Sequence, residues 1–239
     1  MNILPTGAAL LAAVFFASCV VQRSLEPYVA LGEDTGLENW THLDGRPAEW
    51  TRLESGVVEV KPGSGNIITR VLYGDCLIEL DFMTPYMPDR TGQGRGNSGA
   101  YVQGLYEVQV LDSFGNEPGM DTCGAIYKVS PAAVNVCLPP GKWQHYRIEF
   151  TAPRFDVTGA VTKKARISVW QNGTQIQDDV EVPGPTGGAA GQDLVAFGPL
   201  MLQDHGDPVR YRNVLITPRF DEDDNVGWGV DPENKLFIE

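Results

Sequence analysis

The sequence predicts an all-β sandwich, and three observations carry that prediction. Short apolar runs alternate with turn residues, and Gly (27) and Pro (17) are plentiful in a chain of 239 residues. No long stretch repeats its apolar residues at helical spacing. The stretch Gly104 to Asp112 shows the opposite period: Tyr106, Val108 and Val110 leave one face of a strand, and Glu107 and Gln109 leave the other. The first face suits a core. The two polar groups stand about 7 Å apart along the strand, and we read their face as the wall of a cleft rather than plain solvent surface.

Composition narrows the partners. With 42% hydrophobic residues the chain can bury one substantial core and needs only one domain. A net charge of −13 and a pI near 4.6 repel nucleic acid and anionic membrane surfaces. Zinc-type cysteine spacing, a Walker loop and a dinucleotide fingerprint are all missing from the sequence. Arg95-Gly-Asn-Ser-Gly has glycines but no strand-then-helix context, so it is not read as a phosphate loop.

Ile3 to Ala17 is apolar, too short to span a bilayer comfortably, and ends in Phe16-Ala17-Ser18-Cys19. Residues 1–18 are therefore read as an export signal, although no Lys or Arg precedes the run and Pro5 opens it. Ala-Ser-Cys is similar to the site where bacterial lipoproteins are cut and lipidated. That makes Cys19 the expected anchor, with ordinary signal cleavage nearby as the simpler alternative. An exported envelope protein, touching membrane only through that lipid, is the expectation. Residues 19–36 read as a linker, 37–218 as the folded domain and 219–239 as an acidic tail.

Strands are expected at Trp50 to Leu53, Val57 to Lys61, Asn66 to Thr69 and Cys76 to Thr84. In the last of these, Ile78, Leu80 and Phe82 mark a buried face. Pro85 to Asn97 is a polar loop, followed by Ser98 to Gln103 and, after a turn at Gly104, by the Glu107 strand. Trp143 to Thr151, Ala165 to Gln171, Pro199 to His205 and Val209 to Thr217 complete the set, and Asn172-Gly173 signals a type I′ hairpin. Gly184 to Gln192 is read as a flexible loop. Cys123 and Cys137 lie in the irregular stretch 113–141 and, given an export signal, are expected to form a disulfide; Cys76 is read as a buried thiol. Asp221 to Asp224 lacks the spacing of a calcium hand and reads as solvated charge.

The candidate chemistry gathers in three segments. The first supplies Glu107 and Gln109. The second is Gln203-Asp204-His205-Gly206, where Leu200 and Leu202 point inward and Gln203 and His205 fall opposite. The third carries Asn97, Ser98, Tyr101 and Gln103. Histidine occurs only at 42, 145 and 205, and His205 has the most polar neighbourhood of the three. The plainer alternative makes Asp204 and His205 a turn cap, with Arg210 and Arg212 pairing surface carboxylates.

Five blocks weigh against that alternative: Gly-Gln-Gly-Arg-Gly-Asn-Ser-Gly (92–99), Tyr-Glu-Val-Gln-Val-Leu-Asp (106–112), Cys-Gly-Ala-Ile-Tyr (123–127), Val-Asn-Val-Cys-Leu-Pro-Pro-Gly-Lys-Trp-Gln (134–144) and Gly-Pro-Leu-Met-Leu-Gln-Asp-His-Gly-Asp-Pro-Val-Arg-Tyr-Arg-Asn (198–213). Together, from about Trp40 to Pro218, they resemble the bacterial 3-keto-disaccharide hydrolase domain. The resemblance implies a concanavalin A-like jelly roll of two antiparallel sheets whose concave face binds sugar, and frequent export as envelope lipoproteins. Lys128 departs from the small residue usual after Gly-Ala-Ile-Tyr, and so either adds a cation to the cleft or points outward.

Related laminarinase-type jelly rolls place carboxylates at i, i+2 and i+4 of one strand face. Those positions here are Glu107, Gln109 and Leu111, so one carboxyl remains. Retaining hydrolysis needs two, about 5–5.5 Å apart, and requires Asp112, Asp204 or another loop acid to swing in. A 3-keto sugar needs less: its ketone acidifies the C2 hydrogen, one base removes it, and the C1 substituent leaves. The implied assignments are Glu107 and His205 as acid and base, Gln109, Gln203, Asn97, Tyr101, Gln103 and Asp204 as sugar contacts, and Arg212 or a divalent metal ion polarising the ketone. Glu107 and His205 are the two candidate metal ligands. A separate sugar oxidoreductase is the expected supplier of the keto sugar. The rival reading is a non-catalytic carbohydrate-binding module with Tyr101, Trp143 or Trp170 as its platform; for the tryptophans Trp40, Trp50, Trp143 and Trp170, core is the default.

Overall fold

A computed structural model describes residues 27–54, 56–219 and 228–229. The proposed signal and Cys19 lie outside the described residues, as does most of the tail. Two antiparallel sheets face each other. The large one has eight strands, with Cys76–Met83 flanked by Gln144–Thr151 and Arg210–Pro218, then Ala165–Gln171 and Thr174–Val182 beyond. The small one runs Trp40–His42, Ile67–Thr69, Met201–Leu202, Ser98–Val102, Tyr106–Val110.

Period-two patterning builds the core. Ile78, Leu80 and Phe82 alternate with half-buried neighbours, as do Tyr146, Ile148 and Phe150 on the adjoining strand. From the small sheet, Tyr106, Val108 and Val110 enter the same core. Tyr106 meets Phe150 at 5.7 Å between ring centroids, while Phe82 and Tyr146 stack at 4.7 Å within the large sheet. The expected Asn172-Gly173 turn joins Ala165–Gln171 to Thr174–Val182, with both residues at positive φ (52° and 82°).

Two segments differ from expectation. Tyr28–Leu31, inside the supposed linker, is a strand paired with Arg210–Pro218, and Ala30 and Leu31 are fully buried. Trp228–Gly229, in the supposed peripheral tail, pairs with Leu72–Tyr73. In both, the partner strand lies some 150 residues or more away in sequence, beyond the reach of a local pattern.

The anticipated disulfide is not formed. Cys123 and Cys137 are free, buried thiols that interact side by side. Each sulfur takes other partners instead: Tyr146 Oη (3.2 Å) and Gln171 Nε2 (3.4 Å) for Cys123, and Gln144 Nε2 (3.5 Å) for Cys137. Cys76 is a free, fully buried thiol as expected. Among the described residues no helix is long and apolar enough to cross a membrane.

Candidate functional site

Both Ser98–Val102 and Tyr106–Val110 are buried on both faces, because loops roof the side turned away from the large sheet. Under that roof lies a cavity of about 230 Å³. The strands contribute Tyr101, Glu107 and Gln109 to its wall, and the chain leaving Met201–Leu202 adds Gln203 and His205. Loops supply Asn97, Gln93, Tyr127, Gly187 and Gly188.

Glu107 is only 3% exposed. Burial raises its carboxyl to about 8, and the nearby Tyr101 hydroxyl pulls slightly the other way. The carboxyl is therefore mostly protonated at neutral pH. Its main chain is clamped, with the Glu107 N–H donating to Thr186 Oγ1 (2.9 Å) and Tyr127 N–H donating to the Glu107 carbonyl (3.1 Å). That second bond belongs to the segment 124–127, which also pairs with Gln109 and covers what is otherwise the open edge of the small sheet. Tyr101 donates to the Gly187 carbonyl (2.9 Å) and accepts from Gln203 Nε2 (3.0 Å).

His205 is exposed at the cavity mouth, and its ring makes no hydrogen bond to another described residue. The other two histidines are occupied. His42 donates from Nδ1 to the Asn66 carbonyl and accepts Glu49 N–H at Nε2, while His145 pairs with Asp81 at 2.9 Å. Asn97, Gln109 and Gln203 each aim the amide nitrogen at a protein acceptor, which leaves Asn97 Oδ1, Gln109 Oε1 and Gln203 Oε1 buried with no partner among the described residues. A buried acceptor left unmet costs about 1–3 kcal/mol. Three of them around one cavity match a ligand rich in hydroxyl groups.

Three expected sugar contacts stand elsewhere. Gln103 takes positive φ (53°) in the turn before Gly104, and donates to the Tyr73 and Ala196 carbonyls (3.1 and 3.0 Å). The turn carries it past the first cavity, and it lines a neighbouring one. Asp204 is consumed by local structure, accepting Gly65 N–H and Gly206 N–H (both 2.9 Å), which sets the turn that presents His205. Arg212 belongs to the large sheet, bonded to Asp81 (3.1 Å) and stacked over Trp143 at 4.1 Å. Strand alternation gives a residue's face but not its sheet, so the expectation that Arg212 polarises the ketone had no means of telling the two sheets apart.

Lys128 points outward to Asp121 (2.5 Å). Asp112 is tied to Arg95 (3.1 Å) rather than swung into the cavity. Trp40 and Trp50 are core, whereas Trp170 is covered by Arg147. Among the described residues no group of three or more His, Cys, Asp or Glu is placed to hold a metal ion, so Glu107 and His205 remain a two-donor set.

Sequence reasoning missed Gln93, Tyr127, Gly187 and Gly188. The supposedly flexible loop is tied down: Thr186 N–H donates to Leu105 O (2.9 Å) and Ala190 N–H to Gly104 O (2.8 Å). Between those ties, Gly187 and Gly188 arch against the site. A Cβ on Gly188 would lie 2.6 Å from Tyr101 Oη and 3.2 Å from Gln203 Nε2. Asp207 accepts the Asn97 N–H at 2.8 Å and holds that residue in place.

Gly188→Ala is expected to lower kcat/KM by about tenfold or more by displacing Tyr101 and Gln203. Gly63→Ala is the control: its φ (+83°) matches that of Gly188 (+80°), but a Cβ there meets nothing within 4 Å. Equal activity in the two variants, measured by steady-state kinetics, would sink the packing argument.

Fold and site define a two-sheet jelly roll with a buried carboxyl and an unpaired imidazole in one hydroxyl-seeking cavity. The chain belongs to the 3-keto-alpha-glucoside-1,2-lyase-like domain family, which it matches over residues 27–217. It is similar to two Parabacteroides distasonis ATCC 8503 proteins, each named "putative glycosyl hydrolase". The first is 32% identical, with a TM-score of 0.72 over 80% of this chain and 83% of that one. The second is 20% identical, with a TM-score of 0.54 over 75% and 88%. A more distant likeness is the carbohydrate-binding module CBM66 from Bacillus subtilis, 15% identical at TM-score 0.44 over 75% and 96%. Among curated proteins none matches the chain. The family and these neighbours are hydrolase-like or carbohydrate-binding.

Proposed function

We propose that this protein cleaves 3-keto-glycosides by elimination across C1 and C2, followed by hydration. The observation that carries the proposal is the inventory of the cavity wall: one carboxyl, Glu107, and one imidazole, His205. Two-carboxylate glycoside hydrolysis lacks its second partner there, since Asp112 and Asp204 are both engaged away from the cavity. Elimination needs only one base and one acid.

The raised carboxyl of Glu107 supports one division of roles. His205 takes the C2 proton, and the electron pair moves into a C2–C3 double bond with charge on the ketone oxygen. As the ketone re-forms, the C1–O bond breaks and Glu107 gives its proton to the departing oxygen. The products are an alcohol and a 1,2-unsaturated 3-keto sugar. Water then adds at C1, losing a proton to the Glu107 carboxylate, and the His205 imidazolium returns a proton to C2. Both groups end as they began. Asn97, Gln109 and Gln203 offer their free amide oxygens to the sugar hydroxyls. The ketone itself must come from a separate sugar oxidoreductase.

The test is incubation with the 3-keto and unoxidised forms of one glucoside, with and without chelator, in deuterated water. Cleavage of the keto form alone, with deuterium at C2 of the product, is expected. Equal cleavage of both forms would discard elimination, and retention of sugar without release would favour a binding module.

A further inference from the structure

A second cavity of about 230 Å³ lies on the same face of the small sheet, across the Thr186–Ala190 strap from the first. Its wall is mostly apolar, with Leu43, Ile68, Leu72, Leu105, Val195 and Phe197 contributing, while the exposed Gln192 and Asp193 stand at its rim. One buried polar group interrupts it. Gln103 is 3% exposed, spends its amide nitrogen on the Tyr73 and Ala196 carbonyls, and leaves Oε1 with no partner among the described residues. A mostly apolar chamber with one buried side-chain acceptor suits a ring that carries one hydroxyl, which burial of the ring's carbon surface would hold in place.

Its position says why such a ring would be there. Tyr101 lines the first cavity and Gln103 the second, two residues further along the chain. Gly188 lines the first and Ala190 the second, again two residues apart. Two residues of extended chain span at most about 7 Å, so the walls approach within the length of one glycosidic substrate at two separate points. We infer that the second cavity receives the aglycone, and that the preferred substrates carry a hydroxylated apolar ring there. This assignment rests on the proposed reaction for its purpose, but the binding site can be tested apart from turnover.

Two measurements do so. Phenol is titrated into the full chain and into Val195→Trp, which fills the chamber from its rim, where Val195 is 36% exposed. Saturable NMR shifts at Leu72, Leu105 and Phe197 are expected in the parent and lost in the variant. Steady-state rates then compare 4-hydroxyphenyl and methyl 3-keto-glucosides. Val195→Trp is expected to raise KM for the 4-hydroxyphenyl substrate about tenfold and leave the methyl substrate unchanged. If phenol binds as expected but neither glucoside is cleaved, the chamber stands as a ring-binding site and the proposed reaction falls. Phenol shifts absent in the parent, or equal effects of Val195→Trp on both glucosides, would overturn the aglycone assignment while leaving the reaction intact. Unchanged thermal melting of Val195→Trp excludes a folding defect.

Discussion

Glu107→Gln is expected to lower kcat on an alkyl 3-keto-glucoside by about 10²–10⁴-fold, the range for loss of a positioned proton donor. The wild-type carboxyl holds its proton up to about pH 8, so it enters the reaction loaded, and an amide cannot give that proton to the departing oxygen. The defect should depend on the leaving group. A nitrophenolate departs without protonation, so Glu107→Gln should recover most of the first-turnover rate of nitrophenolate release from a nitrophenyl 3-keto-glucoside. His205→Ala, lacking the group that takes the C2 proton, should be slow on both substrates. The wild-type rate on the alkyl substrate should fall as pH rises past about 8. Rescue of His205→Ala rather than Glu107→Gln by the better leaving group would reverse the two roles.

The same carboxyl should make the fold sensitive to pH. In the unfolded chain Glu107 releases its proton near 4.5, while in the folded protein it keeps it to about 8. Between those values the folded state binds more protons, so stability falls as pH rises. The favourable contribution is whole below about 4.5 and lost as pH passes through about 8, where the fold must bury a charge. Glutamine has no such penalty. Glu107→Gln should therefore match the parent near pH 4.5 and exceed it by a few kcal/mol, as an order of magnitude, at pH 9. Urea titrations of both proteins across that range measure the difference, and every other titrating group largely cancels. A difference that stays flat with pH would remove the buried, protonated carboxyl from the account.

Much of the site could be read from period two alone. Glu107 and Gln109 share a face because their strand alternates, and Gln203 and His205 share one because Leu200 and Leu202 turn inward to the core. Asn97 and Tyr101 fall in the cavity by the same logic. The failures have a different physical origin. Gln103 follows the alternation until a positive φ breaks it. Arg212 sits just before a register shift in its strand, on a sheet that no local pattern could distinguish from the other. Gly187 and Gly188 reach the site through main-chain ties to residues some 80 positions earlier, so a string of small residues that looked mobile proved to be a fitted wall. The thiols went astray because the expected disulfide was argued from compartment, whereas their neighbours offer hydrogen bonds.

That fitted wall also separates two kinds of change. The strap from Thr186 to Ala190 hangs from two main-chain bonds to Leu105 and Gly104 and borders both chambers, yet it belongs to neither sheet. Thr186 also holds the Glu107 main chain, so in the proposed reaction a graft that keeps this threonine would redraw which molecules are admitted while the sandwich beneath stays as it is. On the proposed reading, selectivity is hung on the scaffold and is exchangeable without rebuilding the frame.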